Sequence, residues 1–303
     1  MNCCYNTIIM PEILIRGIDM FKIVSKRPLN EAKTVVEFVI EAPLVARKAR
    51  PGQFIIFRLD EYGERVPVTI AAADTEKGTV TIMVQPVGKT TRMLNLLEAG
   101  DEIADFVGPL GRPTQMEGLK RVCVVGGGVG NAIAYPVAKG MHDLGIEVDM
   151  VAGFRSKDIV ILEDEMRAGV TNLYITTDDG SYGEAGFNVT KMKALLDAGN
   201  QYDEVMAVGP TRMMQRVCDA TKEYGVRTIV SMNPIMLDGT GMCGACRLTV
   251  GGETKFACVD GPEFDGHLVD WDGIIKRSTY YAEEEKAAME HICRITGGVR
   301  EHG

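Results

Sequence analysis

The sequence predicts a multidomain chain: a small antiparallel β-barrel, then a parallel α/β domain, then a small carboxyl-terminal subdomain built around a cysteine loop. Three observations predict it. Short β-type runs separated by turn signals crowd residues 20–118, and strand and helix patterns alternate over 119–229. Residues 230–303 lose that alternation but hold three closely spaced cysteines. Residues 1–19 show no clear pattern and read as an extension, or as sequence ahead of a functional start at Met20.

In the first segment the runs FKIVSK, TVVEFVIEA, FIIFRL, VPVTIAAA and TVTIMVQPV are separated by PGQ, EYGE and DTEKG. Closely spaced runs rich in Val, Ile, Phe and Thr suit short antiparallel strands. One helix is expected among them, in TTRMLNLLEAG, with a threonine suited to capping and a glycine at its end. In the second segment RVCVVGGG, EVDMVAGF, NLYITTDDG and DEVMAVGP read as buried strands, each but the third followed by a helical pattern. That alternation points to a parallel sheet. In the third, VDGPEFDGHLVDW reads as a polar loop and YYAEEEKAAMEHI as a charged helix.

Composition excludes several functions. At 303 residues and 46% hydrophobic content the chain can bury more than one core. A net charge of -9 and the lack of any Lys/Arg-rich run argue against nucleic acid as a partner. No apolar run approaches the roughly 18 residues of a membrane span, and no signal-peptide pattern opens the chain, so a cytoplasmic location is expected. The eight cysteines are unevenly spaced, which suits reduced thiols better than a disulfide framework. Cys123 and Cys218 fall in apolar patterns and read as core; Cys293 reads as core or surface.

VCVVGGGVGNAIAYPVAKGM (122–141) reads strand, glycine turn, helix, a pattern that brings backbone N–H groups and a helix amino terminus to a pyrophosphate. Gly126, Gly128 and Gly130 leave the third glycine of the usual fingerprint unfilled, so a plain tight turn is an equal reading. TTDDG (176–180) and VGPTRMM (208–214) follow strands whose carboxyl ends would line the same crevice. In the first segment RVPVTI (65–70) offers an arginine for a phosphate and a threonine hydroxyl for a ring nitrogen, and VGKTTRML (87–94) a turn entering a helix. Their plain readings are an exposed arginine and an ordinary helix cap. Gly88–Thr91 is not a Walker A loop, because the earlier glycine that motif needs is absent.

The loop DGTGMCGACRLTV (238–250) sets Cys243 and Cys246 two residues apart, with Cys258 after eleven more. A four-thiolate site lacks one member, and Asp238 is the nearest plausible upstream ligand. The alternative is that Asp238 only starts a turn and the cysteines hold zinc with His267 or His291.

The order R-x-P-x-T, G-K-T-T, GPLG (108–111), GGGVG and VGPTRMM resembles the ferredoxin-NADP reductase superfamily over most of residues 20–230. The resemblance implies an FAD-binding barrel (20–118), a Rossmann-like NAD(P)-binding domain (119–229) and hydride exchange between them. It implies that Arg65, Val66, Pro67, Val68 and Thr69 line the flavin and that Gly88, Thr90 and Thr91 hold its pyrophosphate. Gly127, Gly128 and Gly130 would face the dinucleotide phosphates, with Asp178 and Met213 beside them.

The cysteine loop resembles those of dihydroorotate dehydrogenase B electron-transfer subunits, which carry a [2Fe–2S] cluster there. The spacing D-x4-C-x2-C-x11-C is more similar to the small subunits of NADH-dependent reduced ferredoxin:NADP oxidoreductases, also described as sulfide dehydrogenase small subunits. This implies a [2Fe–2S] cluster on Asp238, Cys243, Cys246 and Cys258 within 230–303. It implies an electron-bifurcating heterodimer with a larger subunit that carries FAD and [4Fe–4S] clusters and binds NADP(H), with ferredoxin reached through the complex. Hydride transfer needs no general acid or base, so no catalytic side chain is singled out. The electron-transfer subunit of dihydroorotate dehydrogenase B and a zinc-binding interaction protein on the same scaffold remain as alternatives.

Overall fold

The computed structural model describes residues 20–295, with side chains to Glu290. Residues 1–19 and the side chains of His291 and Cys293 lie outside the described residues. The first sheet holds β1 (Phe21–Pro28), β2 (Val36–Glu41), β3 (Phe54–Arg58), β4 (Val66–Asp74), β5 (Thr79–Val84), β6 (Glu102–Ile103) and β7 (Asp105–Leu110). Its order is β6-β1-β2-β5-β4-β3-β7, antiparallel throughout. The two edge strands are consecutive in the chain, separated only by Ala104. The sheet must therefore curl until its edges almost meet, a nearly closed barrel that leaves little free edge. Alternation decides what faces in: Val36, Phe38 and Ile40 on β2 and Val80, Ile82 and Val84 on β5 are buried.

Two helices lie along this sheet, α1 (Pro43–Ala46) and α2 (Lys89–Leu94). The latter is shorter than the sequence pattern suggests and begins one residue earlier, at Lys89, with Gly88 as its cap. Gly88 has no side chain to cap with. Instead Thr91 closes the turn, its Oγ1 accepting the Gly88 N–H and donating to the Gly88 carbonyl, both at 3.0 Å.

The second sheet holds β8 (Arg121–Gly127), β9 (Glu147–Phe154), β10 (Asn172–Thr177), β11 (Glu184–Ala185), β12 (Glu204–Val208) and β13 (Thr228–Ser231). These run parallel in the order β11-β10-β9-β8-β12-β13. Between them lie α3 (Gly130–Asp143), α4 (Glu163–Gly169), α5 (Asn188–Asp197) and α6 (Thr211–Lys222). Both sheet faces are covered, which is why β8 and β12 read as continuous apolar runs. Val122 and Val124 enter the core under α3, and Cys123 and Val125 enter the core shared with α5 and α6. Cys123 and Cys218 are both buried, as the sequence suggests.

The remaining chain forms a hairpin of β14 (Arg247–Val250) and β15 (Glu253–Phe256), then α7 (Trp271–Arg277) and α8 (Ala282–Ile295). The stretch expected as a polar loop departs from that reading, because β16 (Glu263–Asp265) adds antiparallel to β13 as the sheet's last strand. Three residues with one inward apolar side chain, Phe264, suffice at an edge, with Asp265 half-buried and Glu263 turned to the Thr114 hydroxyl.

A short junction ties these parts together. The Gln53 amide donates to the Gly111 carbonyl (2.9 Å), the Arg112 N–H to Gly261 O (2.7 Å), and the Thr114 N–H to Pro51 O (3.0 Å). Thr114 also donates its hydroxyl to Glu263 at 2.5 Å. Burial pushes the Glu263 carboxyl up to about 7, with the Thr114 bond opposing and the Glu204 charge adding to it. Between the unfolded value and about 7 the native state binds this proton more tightly, so stability falls as pH rises through that window. Urea unfolding at pH 5 and pH 8 should show this loss, on the order of 1–3 kcal/mol, and Glu263→Gln should reduce it. An unchanged pH slope in the variant would remove Glu263 from the effect.

Candidate functional site

Strand order locates the first part of the site. From β8 the chain steps outward through β9, β10 and β11, then returns to the other side of β8 with β12 and β13. The carboxyl ends of β8 and β12 flank this reversal, where an open α/β sheet leaves a crevice. The glycine turn and Gly209–Thr211 sit there. Gly128 has φ +56° and no neighbour within 4 Å of an added Cβ, so the space above its Cα is open, while its N–H donates to the Gly153 carbonyl at 2.8 Å. Gly127 and Gly130 serve packing. A Cβ on Gly127 would stand 2.4 Å from Met213 Sδ, and one on Gly130 2.4 Å from the Val208 carbonyl oxygen. Met213 is thus in the crevice, whereas Asp178 is exposed past the end of β10, two strands from β8.

Two asparagines complete the crevice, and sequence reading did not single them out. Asn131 occupies the position of the missing third glycine and is fully buried. Its amide donates to the carbonyls of Gly128 (3.0 Å) and Gly153 (3.1 Å). Asn188, at the start of α5, donates to Gly126 O (2.7 Å) and lies 3.0 Å from Met213 Sδ. Asn131 carried a signal, an asparagine where a glycine was due. Asn188 carried none beyond what any helix start shows.

On the barrel, Val66, Pro67, Val68 and Thr69 lie half-buried on β4, paired with Phe57, Ile56, Ile55 and Phe54 of β3. Arg65 is exposed, its Nη2 3.6 Å from the Asp105 carboxylate. The Gly88–Thr91 turn is brought to it through Glu64, which accepts the Thr90 hydroxyl at 2.5 Å. Thr90 is buried, so its hydroxyl is committed to this internal bond.

The cysteine loop lies against the far side of the same strands. Cys246 and Cys258 are buried with their sulfurs 3.3 Å apart, and the Cys258 N–H points to Cys246 Sγ at 3.4 Å. Asp238 accepts the N–H groups of Thr240 (2.9 Å) and Cys243 (2.8 Å), and these bonds hold its carboxyl below the usual range. Cys243 is exposed, and its sulfur accepts the Ala245 N–H at 3.5 Å. Among the described residues no three His, Cys, Asp or Glu side chains converge as a finished metal cage. Burial and the adjacent Cys246 push the Cys258 thiol up to about 12, with a Gly241 N–H opposing. A cation would bring both sulfurs to thiolates, and the loop's N–H groups aimed at sulfur suit an anionic sulfur-rich group. His267 turns its Nε2 to the Thr221 hydroxyl on α6 at 3.1 Å, and among the described residues it joins no cluster with the cysteines.

The loop and the barrel touch. An added Cβ on Gly239 would lie 2.6 Å from Leu110 Cδ1 and 3.0 Å from Ile56 Cδ1. Phe54 pairs with Thr69 on one side and Leu110 on the other. The β4 segment and the cysteine loop are therefore separated only by β3 and β7.

A nearly closed barrel, a dinucleotide-type sheet and an appended cysteine loop define a subunit of the ferredoxin-reductase type of oxidoreductase. Residues 233–270 match the family model of the iron–sulfur cluster binding domain of dihydroorotate dehydrogenase B. A Clostridium beijerinckii protein of the adh 3′ region is 51% identical over 292 residues, 94% of this chain and 97% of its own. The dihydroorotate dehydrogenase B (NAD(+)), electron transfer subunit homolog of Thermotoga maritima is 47% identical over 266 residues, 88% of this chain and 94% of its own. A chain in the structure of the NADH-dependent reduced ferredoxin-NADP oxidoreductase, described for flavin-based electron bifurcation, superposes with a TM-score of 0.84. It is 45% identical, over 92% of this chain and 99% of that one. The chain belongs to the family of dihydroorotate dehydrogenase B electron-transfer subunits.

The packing of the glycine turn is testable. Gly130→Ala sets its methyl against backbone and should cost about 1–3 kcal/mol, measured by urea unfolding. Gly127→Ala meets the Met213 thioether at 2.4 Å and Pro210 Cδ at 3.2 Å, side-chain atoms that can shift further than backbone, and should cost less; equal losses would contradict this account of the crevice.

Proposed function

We propose that the chain is the FAD- and [2Fe–2S]-containing small subunit of an electron-bifurcating NADH-dependent ferredoxin:NADP oxidoreductase. When bound, these groups and NAD(H) supply hydride exchange, conversion between two-electron and one-electron steps, and single-electron transfer. The observation that carries the reading is the loop itself: Asp238 at its head turned onto the Cys243 N–H, with Cys246 and Cys258 paired behind it. An ionised carboxylate matches a thiolate in charge but is a harder donor, so it fits the first ligand position without a fourth cysteine. The likeness to a chain of the bifurcating enzyme supports the same choice.

The residues divide the work. Val66–Thr69 form a half-buried wall for the flavin ring, Arg65 offers a guanidinium to its phosphates, and Gly88, Thr90 and Thr91 shape the turn beside it. Gly128, with no side chain, leaves room for the dinucleotide phosphates to approach, with Gly127, Gly130 and Met213 shaping the crevice and Asp178 at its margin. Asp238, Cys243, Cys246 and Cys258 hold the cluster. Its partner is a larger flavoprotein with [4Fe–4S] clusters that binds NADP(H), through which ferredoxin is reached. The 47% identity to a dihydroorotate dehydrogenase B subunit homolog favours a second reading, in which the partner oxidises dihydroorotate.

Anaerobic purification with its partner, followed by flavin, iron and sulfide analysis and electron paramagnetic resonance, tests the proposal. One FAD and two irons in this chain, with ferredoxin-linked NADPH oxidation, are expected; dihydroorotate oxidation in its place selects the second reading. Asp238→Ala should lose most of the iron, whereas Asp238→Cys should keep it at a changed potential. Unaltered iron and potential in both would exclude Asp238 as a ligand. Arg65→Ala should weaken flavin retention about tenfold or more with iron unchanged, as expected for a lost charge-assisted bond; full flavin occupancy after dilution would count against the barrel assignment.

A further inference from the structure

Three arginines from three separate elements converge on the cysteine loop, and none belongs to the sites described above. Arg112, in the junction, donates from Nε to the Val259 carbonyl at 3.1 Å, one residue past Cys258. Arg247, on β14, donates from Nη1 to the Gly244 carbonyl at 3.0 Å, one residue past Cys243. Arg277, on α7, donates from Nη2 to the Ala245 carbonyl at 2.9 Å, one residue before Cys246. Each candidate cysteine ligand thus has a neighbouring peptide held by a guanidinium, in a chain of net charge -9. Arg247 acts on the peptide whose other end, the Ala245 N–H, points to Cys243 Sγ. A charge on that carbonyl polarises the peptide and strengthens its N–H toward sulfur.

We propose that Arg112, Arg247 and Arg277 form a cationic collar that raises the reduction potential of the group held by the loop, with Arg277 contributing most. This rests on the cluster reading above. One-electron reduction adds one negative charge to the site with no proton required, and fixed positive charge stabilises that form. The order follows from exposure and pairing. Arg112 is 68% exposed and shares its charge with Asp260, 3.6 Å away. Among the described residues neither Arg247 nor Arg277 has an ion-pair partner, but Arg247 is exposed and Arg277 half-buried, where solvent and salt screen less.

The test is a redox titration of the full-length chain, purified anaerobically and followed by electron paramagnetic resonance, with iron measured in every sample. Arg277→Gln should lower the potential most, Arg247→Gln less and Arg112→Gln least. Arg277→Lys should stay near the parent, and 1 M salt should shrink the Arg247→Gln shift. Iron-replete Gln variants at the parental potential would overturn the collar. So would an equal shift in Arg277→Lys and Arg277→Gln, which would make the effect one of loop shape. If Arg277→Gln loses its iron, the exposed Arg247→Gln decides: a lowered potential supports the collar and an unmoved one refutes it. A parent chain free of iron and labile sulfide would instead overturn the cluster reading, and the collar with it.

Discussion

The arrangement depends on β3, a strand with no free face. Ile55 and Phe57 fill the barrel interior, while Phe54 and Ile56 belong to the core that contains Cys246, Cys258, Met232 and Leu248. Each outward side chain buries enough apolar surface to stabilise the fold by roughly 1.5–3 kcal/mol. Buried on one face only, the barrel would carry the cysteine loop as a loose appendage. Buried on both, the barrel wall becomes the floor of the loop. Gly239 and Gly111 permit this contact: the first rests on Ile56 and Leu110, the other against Phe54 and Pro262, and both hold positive φ.

The same close approach explains the glycine turn. Of its glycines only Gly128 opens to space, while Gly127 and Gly130 admit Met213 and the end of β12. Asn131 then replaces a glycine's passive fit with two donated hydrogen bonds, which tie the turn to the end of β9. A crevice held by packing and buried amides on both sides is preorganised, since little chain entropy remains to be lost on binding.

Buried charge is handled in three different ways. Asp149, inside β9, is satisfied by the Tyr202 hydroxyl (2.6 Å), Asn172 (2.6 Å) and Arg121 (2.9 Å), at the end of the sheet opposite the crevice. Glu204 faces Arg227 at 3.0 Å, yet burial still carries its carboxyl up to about 7. Glu263 has a hydroxyl in place of a cation. At the cysteine loop the sign reverses, with three guanidinium groups gathered on carbonyls of an acidic chain. Such fixed charges act on whatever charge the loop holds without needing to move.

Much of this was legible in sequence because it is local. Apolar periodicity marked β1 to β5 and the parallel strands β8, β9, β10 and β12, and cysteine spacing marked the loop. The edge strands β6, β7, β11 and β16 escaped, being short and rich in acidic or glycine residues that single-sequence patterns assign to loops. Asn188 and the three arginines escaped for another reason: their roles lie in partners 32 to 147 residues away, except Arg247, whose bond is local but whose meaning depends on the loop's place. Sequence alone determined which residue types stand at each strand end and in the loop, because turns, glycines and ligand spacing act within a few residues. Tertiary structure decided that Thr69, Phe54, Leu110 and Gly239 form one line from barrel to cysteine loop, because only the curling of the sheet and the two-sided burial of β3 bring such distant positions into contact.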